Sequence, residues 1–197
     1  MPIPDIDEVK SLLGSRERAI SQIVLGSWDR WWNNPDRIVL GFKRTRATVM
    51  HNFMMNLAPN LFSEDDGIRL IDGQETTYFV VQQRLVFRLK MGDGCGISRN
   101  IETQMSLAFI DPQQTLPGIP DLDRVDVVYI LNPFETQIAN ISVVARDCER
   151  AAWQYPVYPF SDEGRSPIFL PTTPVPSAPP DNVVRLPVVK QKEKDDK

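Results

Sequence analysis

The stretch "YFVVQQRLVFRLKMGDGCGISRNIETQMSLAF", Tyr78–Phe109, decides how this chain is read. From Thr77 to Met91 apolar and polar residues alternate with period two. Phe79, Val81, Leu85, Phe87 and Leu89 fall on one face, and Tyr78, Val80, Gln82, Arg84, Val86, Arg88 and Lys90 on the other. That pattern predicts a strand of an antiparallel sheet with one covered side. The loop "GDGCG" follows, and "TQMSLAFI" is expected to be the returning strand. Arg84, Arg88 and Lys90 then share a strand side, with Ser98, Arg99, Asn100, Thr103 and Gln104 across the loop. Two readings stand for this set: a polar rim that holds an anion, or a solvated strand face closed by an ordinary hairpin.

Further strands are expected downstream in "RVDVVYIL", "QIANISVVAR" and "RAAWQYPV", joined by the short links "NPFE" and "DCE". Neighbouring strands with short links predict an antiparallel meander. Upstream the period changes. "DIDEVKSLL" opens with Asp5 and Asp7, good helix caps. Ala19, Ile20, Ile23, Val24, Ser27, Trp28 and Trp31 then follow i, i+3, i+4 steps along one face. Asn34 and Pro35 read as the cap and first position of another helix, which carries Ile38, Phe42, Val49, Met50, Phe53, Met54 and Leu57 and stops at "APN". Helices precede strands instead of alternating with them. The class expected is therefore α+β, N-terminal helices packed on an antiparallel β-sheet (meander), and not βαβ.

Composition sets the outer limits. The chain has 197 residues, enough for one domain of 1–160, helical over 5–60 and β-rich over 68–158. Of its 17 prolines, nine lie in Pro156–Pro187, and residues 161–197 read as a disordered Pro-rich and charged tail. Inside that tail "NVVRLPVV" supplies Val183, Val184, Arg185, Leu186, Val188 and Val189, either a sticky scrap or a peptide that adds to a partner's sheet or groove. A net charge of −4 argues against coating nucleic acid by bulk charge. The acidic start shows no signal-peptide pattern and no apolar run reaches membrane-span length, so a cytoplasmic protein with reduced thiols is expected.

Most catalytic signatures are missing. One histidine, His51, and two unpaired-looking cysteines, Cys95 and Cys148, offer no metal cluster. No phosphate loop, dinucleotide fingerprint or nucleophile elbow occurs, and "GDGCG" is expected to lead from one strand into another, without the helix N-terminus that phosphate loops use. No cofactor is expected. The acidic runs "EDD" and "DLDRVD" read as solvated turns. A second basic patch remains: Lys43, Arg44 and Arg46 lie within one helical turn. If that helix end met the sheet rim, the two groups together would suit an anionic small ligand or nucleic acid.

The order of "KRTRATVMHNFM" (43–54), "RLVFRLKMGDGCGISRNIETQMSLAF" (84–109), "LPGIPDLDRVDVVYILN" (116–132) and a closing W-x-Y at Trp153 and Tyr155 resembles a family of small bacterial proteins. These are encoded beside a helix-turn-helix protein fused to, or accompanied by, an ImmA/IrrE-type zinc peptidase domain, as in Rosmer-type toxin–antitoxin loci of phage defence. The likeness covers roughly residues 37–155 and is composite rather than catalytic. It picks out Arg88, Lys90, Gly96, Ser98, Asn100, Thr103 and Gln104, although "GDGCG" is richer in glycine than the pattern. The resemblance implies a toxin-like effector of a two-gene module, neutralised by a cognate protein antitoxin. The alternatives are a non-catalytic module that partners the helix-turn-helix–peptidase protein, and an enzyme acting on nucleotides or nucleic acid.

Overall fold

The computed structural model describes residues 3–73, 76–93, 97–98, 103–111, 113–116, 118–119, 121–148 and 150–158. Three helices come first: α1 (Ile6–Leu13), α2 (Glu17–Trp32) and α3 (Lys43–Leu61). Asp5 caps α1 by accepting from the N–H groups of Asp7 and Glu8, both at 3.0 Å. The α2 stripe is buried as its spacing predicts, from Ile20 to Trp31, while Trp32 turns outward. Gly26 lets α3 approach α2, since a Cβ there would sit 3.3 Å from Leu57 Cδ1.

The helix expected from Asn34 onward starts later. Asn34 does cap a turn, accepting from Asp36 N at 2.9 Å, but Pro35–Ile38 form only one 3-10 turn. The chain then runs through Val39–Phe42 before α3 begins. Ile38 and Phe42, expected in the apolar stripe, are instead 88% and 79% exposed. Only from Val49 onward does the α3 face meet the core, through Met50, Met54 and Ala58.

The sheet has six strands in sequence order: β1 (Ile68–Asp72), β2 (Thr77–Val81), β3 (Leu85–Met91), β4 (Asp123–Leu131), β5 (Ile138–Asp147) and β6 (Arg150–Tyr158). The class is α+β and the sheet is mostly antiparallel. Two details differ from expectation. The run Thr77–Met91 is not one strand but a hairpin, turned at Gln82 and Gln83, both with positive φ (48° and 54°). Its pairs are Val81↔Leu85, Val80↔Val86 and Phe79↔Phe87, so odd residues oppose odd residues. Opposed residues share a face, and the period-two pattern therefore passes unbroken through the turn.

The second difference is "TQMSLAFI". Residues Gln104–Ile110 form a helix, α4, and not a strand. A capping box starts it: Thr103 Oγ1 accepts from Ser106 N at 3.1 Å, and Ser106 Oγ accepts from Thr103 N at 3.0 Å. Met105, Ala108 and Phe109 then fall at i, i+3, i+4 on the side facing the sheet. Because α4 crosses between β3 and β4, those two strands pair in parallel, from Leu85↔Asp123 to Met91↔Tyr129. The meander is thus interrupted by one crossover.

Two cores result. The odd residues of β2 and β3 pack with β4–β6 against α1–α3. On the opposite face Tyr78, Val80 and Val86 pack against Ala108, Phe109 and Leu116. Trp153, from the closing W-x-Y, donates from Nε1 to Pro4 O at 2.8 Å and pins the N-terminal segment to β6. The tail island from Val183 to Val189 lies outside the described residues.

Candidate anion-binding cleft

Arg88 is not on a solvent rim. Its side chain is 1% exposed, and Nε donates to Asp126 Oδ1 at 2.6 Å, with Nη2 3.5 Å from Oδ2. The parallel register Arg88↔Asp126 sets the two side by side. Ser98 Oγ donates to Asp126 Oδ2 at 2.9 Å, and Arg146 Nη1 donates to Ser98 Oγ at 3.1 Å. The Arg88 guanidinium lies 4.0 Å over the Phe109 ring. On the next strand Arg124 donates to the carbonyls of Ala108 and Gln114, both at 2.7 Å, at and beyond the end of α4. Burial lowers the Arg124 pKa from its ordinary value. These groups form a buried polar layer that fastens α4 to the sheet, and α4 is the cover that the strand reading of 103–110 omitted.

Lys90, two residues on, has a different setting. The β2–β3 ladder stops at Phe79↔Phe87, whereas β3 continues beside β4 to Met91. Beyond that point a cleft of about 550 Å³ opens between α3, the end of β3 and the start of α4. Lys43, Arg44 and His51 from α3, Lys90 from β3, and Thr103 and Ser106 from α4 line it. Its size falls in the range of small-molecule sites.

The charge pattern at the mouth of this cleft works against the helix that builds it. The N-cap of α3 is Phe42, with no side-chain cap, and the first turn holds no acidic residue. Lys43 and Arg44 therefore stand at the positive end of the helix dipole, where anions are favoured and cations are not. Partial relief comes from Glu135 in the β4–β5 loop, which takes Lys43 at 2.7 Å and Arg46 at 3.0 Å. Those two cations hold the Glu135 carboxyl below the usual carboxylate range. Arg44 receives no such partner among the ion pairs of the described residues. Deeper in the cleft, desolvation and then the Lys90 charge lower the pKa of His51, so its neutral form is favoured.

The two basic groups seen in the sequence thus meet in part. Lys43, Arg44, Lys90 and Thr103 line one cleft, and Gln104 is exposed at the start of α4. Arg84 does not join them: it sits at the turn end of β3 and pairs with Glu8. Arg46 lines a second cleft beside Trp31 and Trp32. Ser98 belongs to the buried layer. Gly96, Arg99 and Asn100 lie outside the described residues, as does Cys95. His51, noted in the sequence only as offering no metal cluster, lines the cleft, and Asp126, read as part of a solvated run, is fully buried. The signal for Asp126 was available: it alternates with Val125 and Val127 in a strand, where a lone carboxylate requires a buried cation.

No family model, no curated protein and no solved structure matches this chain. Among the described residues no group of His, Cys, Asp and Glu is placed to hold a metal ion, and no helix is long and apolar enough to cross a membrane.

Proposed function

We propose that the cleft between α3 and the end of β3 binds a phosphate- or carboxylate-bearing ligand, and that it is the working site of a toxin-like effector from a bacterial two-gene module, held inactive by a protein antitoxin. The observation that carries the binding reading is the convergence of Lys43 and Arg44 from α3 with Lys90 from β3 on one cleft at an uncapped helix N-terminus. Lys43 and Arg44 at that end cost helix stability, which Glu135 offsets in part and a bound anion would offset further. The net charge of the chain is −4, so the positive potential is local. The toxin reading rests on the order of sequence motifs, three of which, 43–54, 84–109 and, through Tyr129, 116–132, supply the walls of this cleft.

The test is expression of the chain alone and with its neighbouring gene. Wild type alone is expected to arrest growth, and the neighbour to restore it. Lys90→Ala with Arg44→Ala is expected to abolish arrest while the melting temperature changes little, because both positions lie outside the two cores. Arrest by a folded double variant would remove the cleft from the account. A second reading, a non-catalytic module that acts by binding a protein, is favoured by the exposed Ile38, Val39, Phe42 and Phe134. Under that reading the chain expressed alone does not arrest growth.

A further inference from the structure

A second cleft, of about 240 Å³, lies on the other side of the α3 N-terminus, between the end of α2, the 3-10 turn and the β4–β5 loop. Trp31, Trp32, Arg37, Phe42, Arg46 and Glu135 line it. Its surroundings are unusually apolar for a protein surface. Ile38 is 88% exposed, Val39 83%, Phe42 79% and Phe134 84%. Scattered apolar residues on a surface need no explanation, but Ile38 and Phe42 line one cleft, Val39 and Phe134 are chain neighbours of its lining residues, and such clustering marks an interaction site. The backbone holds Ile38, Val39 and Phe42 out, since the Asn34 cap and Pro35 end the chain's path along the core before α3 begins, and Phe134 stands out on the β4–β5 loop.

Charge defines what fits. The Arg37 guanidinium stacks 3.9 Å over Trp32. Arg46 is 12% exposed and spends one nitrogen on Glu135. Its Nε and Nη2 are buried and have no hydrogen-bond acceptor among the described residues. Buried donors without acceptors are costly, and Arg46 therefore adds positive charge beneath the cleft floor, while Arg37 on the cleft wall is the cation a carboxylate can reach. Glu135, the one carboxylate in the lining, is already shared with Lys43.

We infer that this cleft docks a segment of a partner protein that carries apolar side chains and an adjacent Asp or Glu: the apolar residues cover Phe42, Ile38 and Trp32, and the carboxylate meets Arg37, with the buried Arg46 charge behind it. A second copy is a poor occupant, because a two-fold contact through this patch sets the same arginines against each other. The chain's own apolar stretch Asn182–Val189 is preceded by Asp181 but also brings Arg185 and is followed by Lys190, so its charge is mixed where this lining calls for a net acidic segment. An aromatic and arginine-rich cleft is the composition in which protein-binding energy concentrates.

A random dodecapeptide display library, selected on the immobilised full chain, tests this. Enriched peptides are expected to share an Asp or Glu close to Trp, Phe, Leu or Ile. Synthetic copies should shift the Trp32 indole N–H resonance, and their affinity should fall at least about tenfold in each of Phe42→Glu, Ile38→Glu and Arg37→Glu. All three positions are at the surface, so loss of fold in all three is not expected. No enrichment, a basic or uncharged consensus, or equal binding by the variants would overturn the inference. So would a concentration-dependent dimer abolished by Phe42→Glu, which would make a second copy the occupant. A Trp32 resonance moved by Leu186→Asp without peptide would assign the cleft to the chain's own tail and overturn it equally.

Discussion

Arg88 and Lys90 are two residues apart on the same side of β3, yet one is sealed and the other lines a cleft. The difference is the partner each meets across β4 and under α4. Arg88 has Asp126, itself held by Ser98, and the Phe109 ring, all inside the covered zone. A buried charge pair need not stabilise a fold relative to apolar residues, but removing one member strands the other. Asp126→Ala is therefore expected to cost about 3–5 kcal/mol in urea unfolding, because Arg88 then has no counter-charge. A loss below about 1 kcal/mol would mean that water reaches Arg88 and that the pair is not sealed. None of this is visible from alternation alone: period two assigns a side chain to a face but does not say whether a later segment covers that face.

At the scale of elements, two local features carry strain that the rest of the fold offsets. One is the β2–β3 turn, where Gln82 and Gln83 both hold positive φ without being glycine. Left-handed backbone penalises a Cβ, and tight hairpins prefer Asn-Gly there. Gln83→Gly is expected to stabilise the protein by roughly 1 kcal/mol, read from denaturation midpoints, and destabilisation would show that the side chain has a role the turn alone does not explain. That missing glycine is also why the turn was illegible in the sequence, since "VVQQRLV" carries no turn residue and keeps its alternation. The other feature is the uncapped, cationic start of α3. Arg44→Glu should raise stability by about 0.3–1 kcal/mol through the helix dipole while it destroys anion binding. If it lowers stability, the helix end is compensated by something other than a bound anion. The helix α4 was legible in principle: Thr103 and Ser106 have cap spacing, and Met105, Ala108 and Phe109 have helical spacing. A short apolar run after a glycine loop satisfies a strand pattern equally well, and only the sheet it packs on decides between them.

For the whole molecule, α1, α2, the core-facing part of α3, the strands from β4 onward and the α+β class followed from residue periods, whereas the start of α3 and all of α4 did not. The α2 stripe is buried residue for residue from Ile20 to Trp31. The parallel step between β3 and β4 did not follow, because the connection was read as a hairpin. The candidate site was legible only in its ingredients. Lys43 and Arg44 are neighbours in sequence, but their approach to Lys90 depends on where β2 leaves β3, and no short window of sequence records that. The fold places His51 within the resulting cleft, and His51 is the chain's one histidine.

That makes His51 a single-resonance reporter of the central claim, that the cleft binds anions. Desolvation and Lys90 both favour neutral imidazole, so its pKa in the free protein lies below the ordinary value of about 6.5. A bound anion favours the imidazolium and must move that pKa upward, and by linkage the anion binds more tightly as pH falls through the shifted range. The measurement is an NMR pH titration of the His51 ring C–H signal, with and without pyrophosphate, in wild type and in Lys90→Ala. The midpoint is expected below 6.5 in the free protein, higher with pyrophosphate, and higher also in free Lys90→Ala, where the repelling charge is gone and the response to pyrophosphate is weakened. A free midpoint at or above 6.5 that neither pyrophosphate nor Lys90→Ala moves would contradict the account.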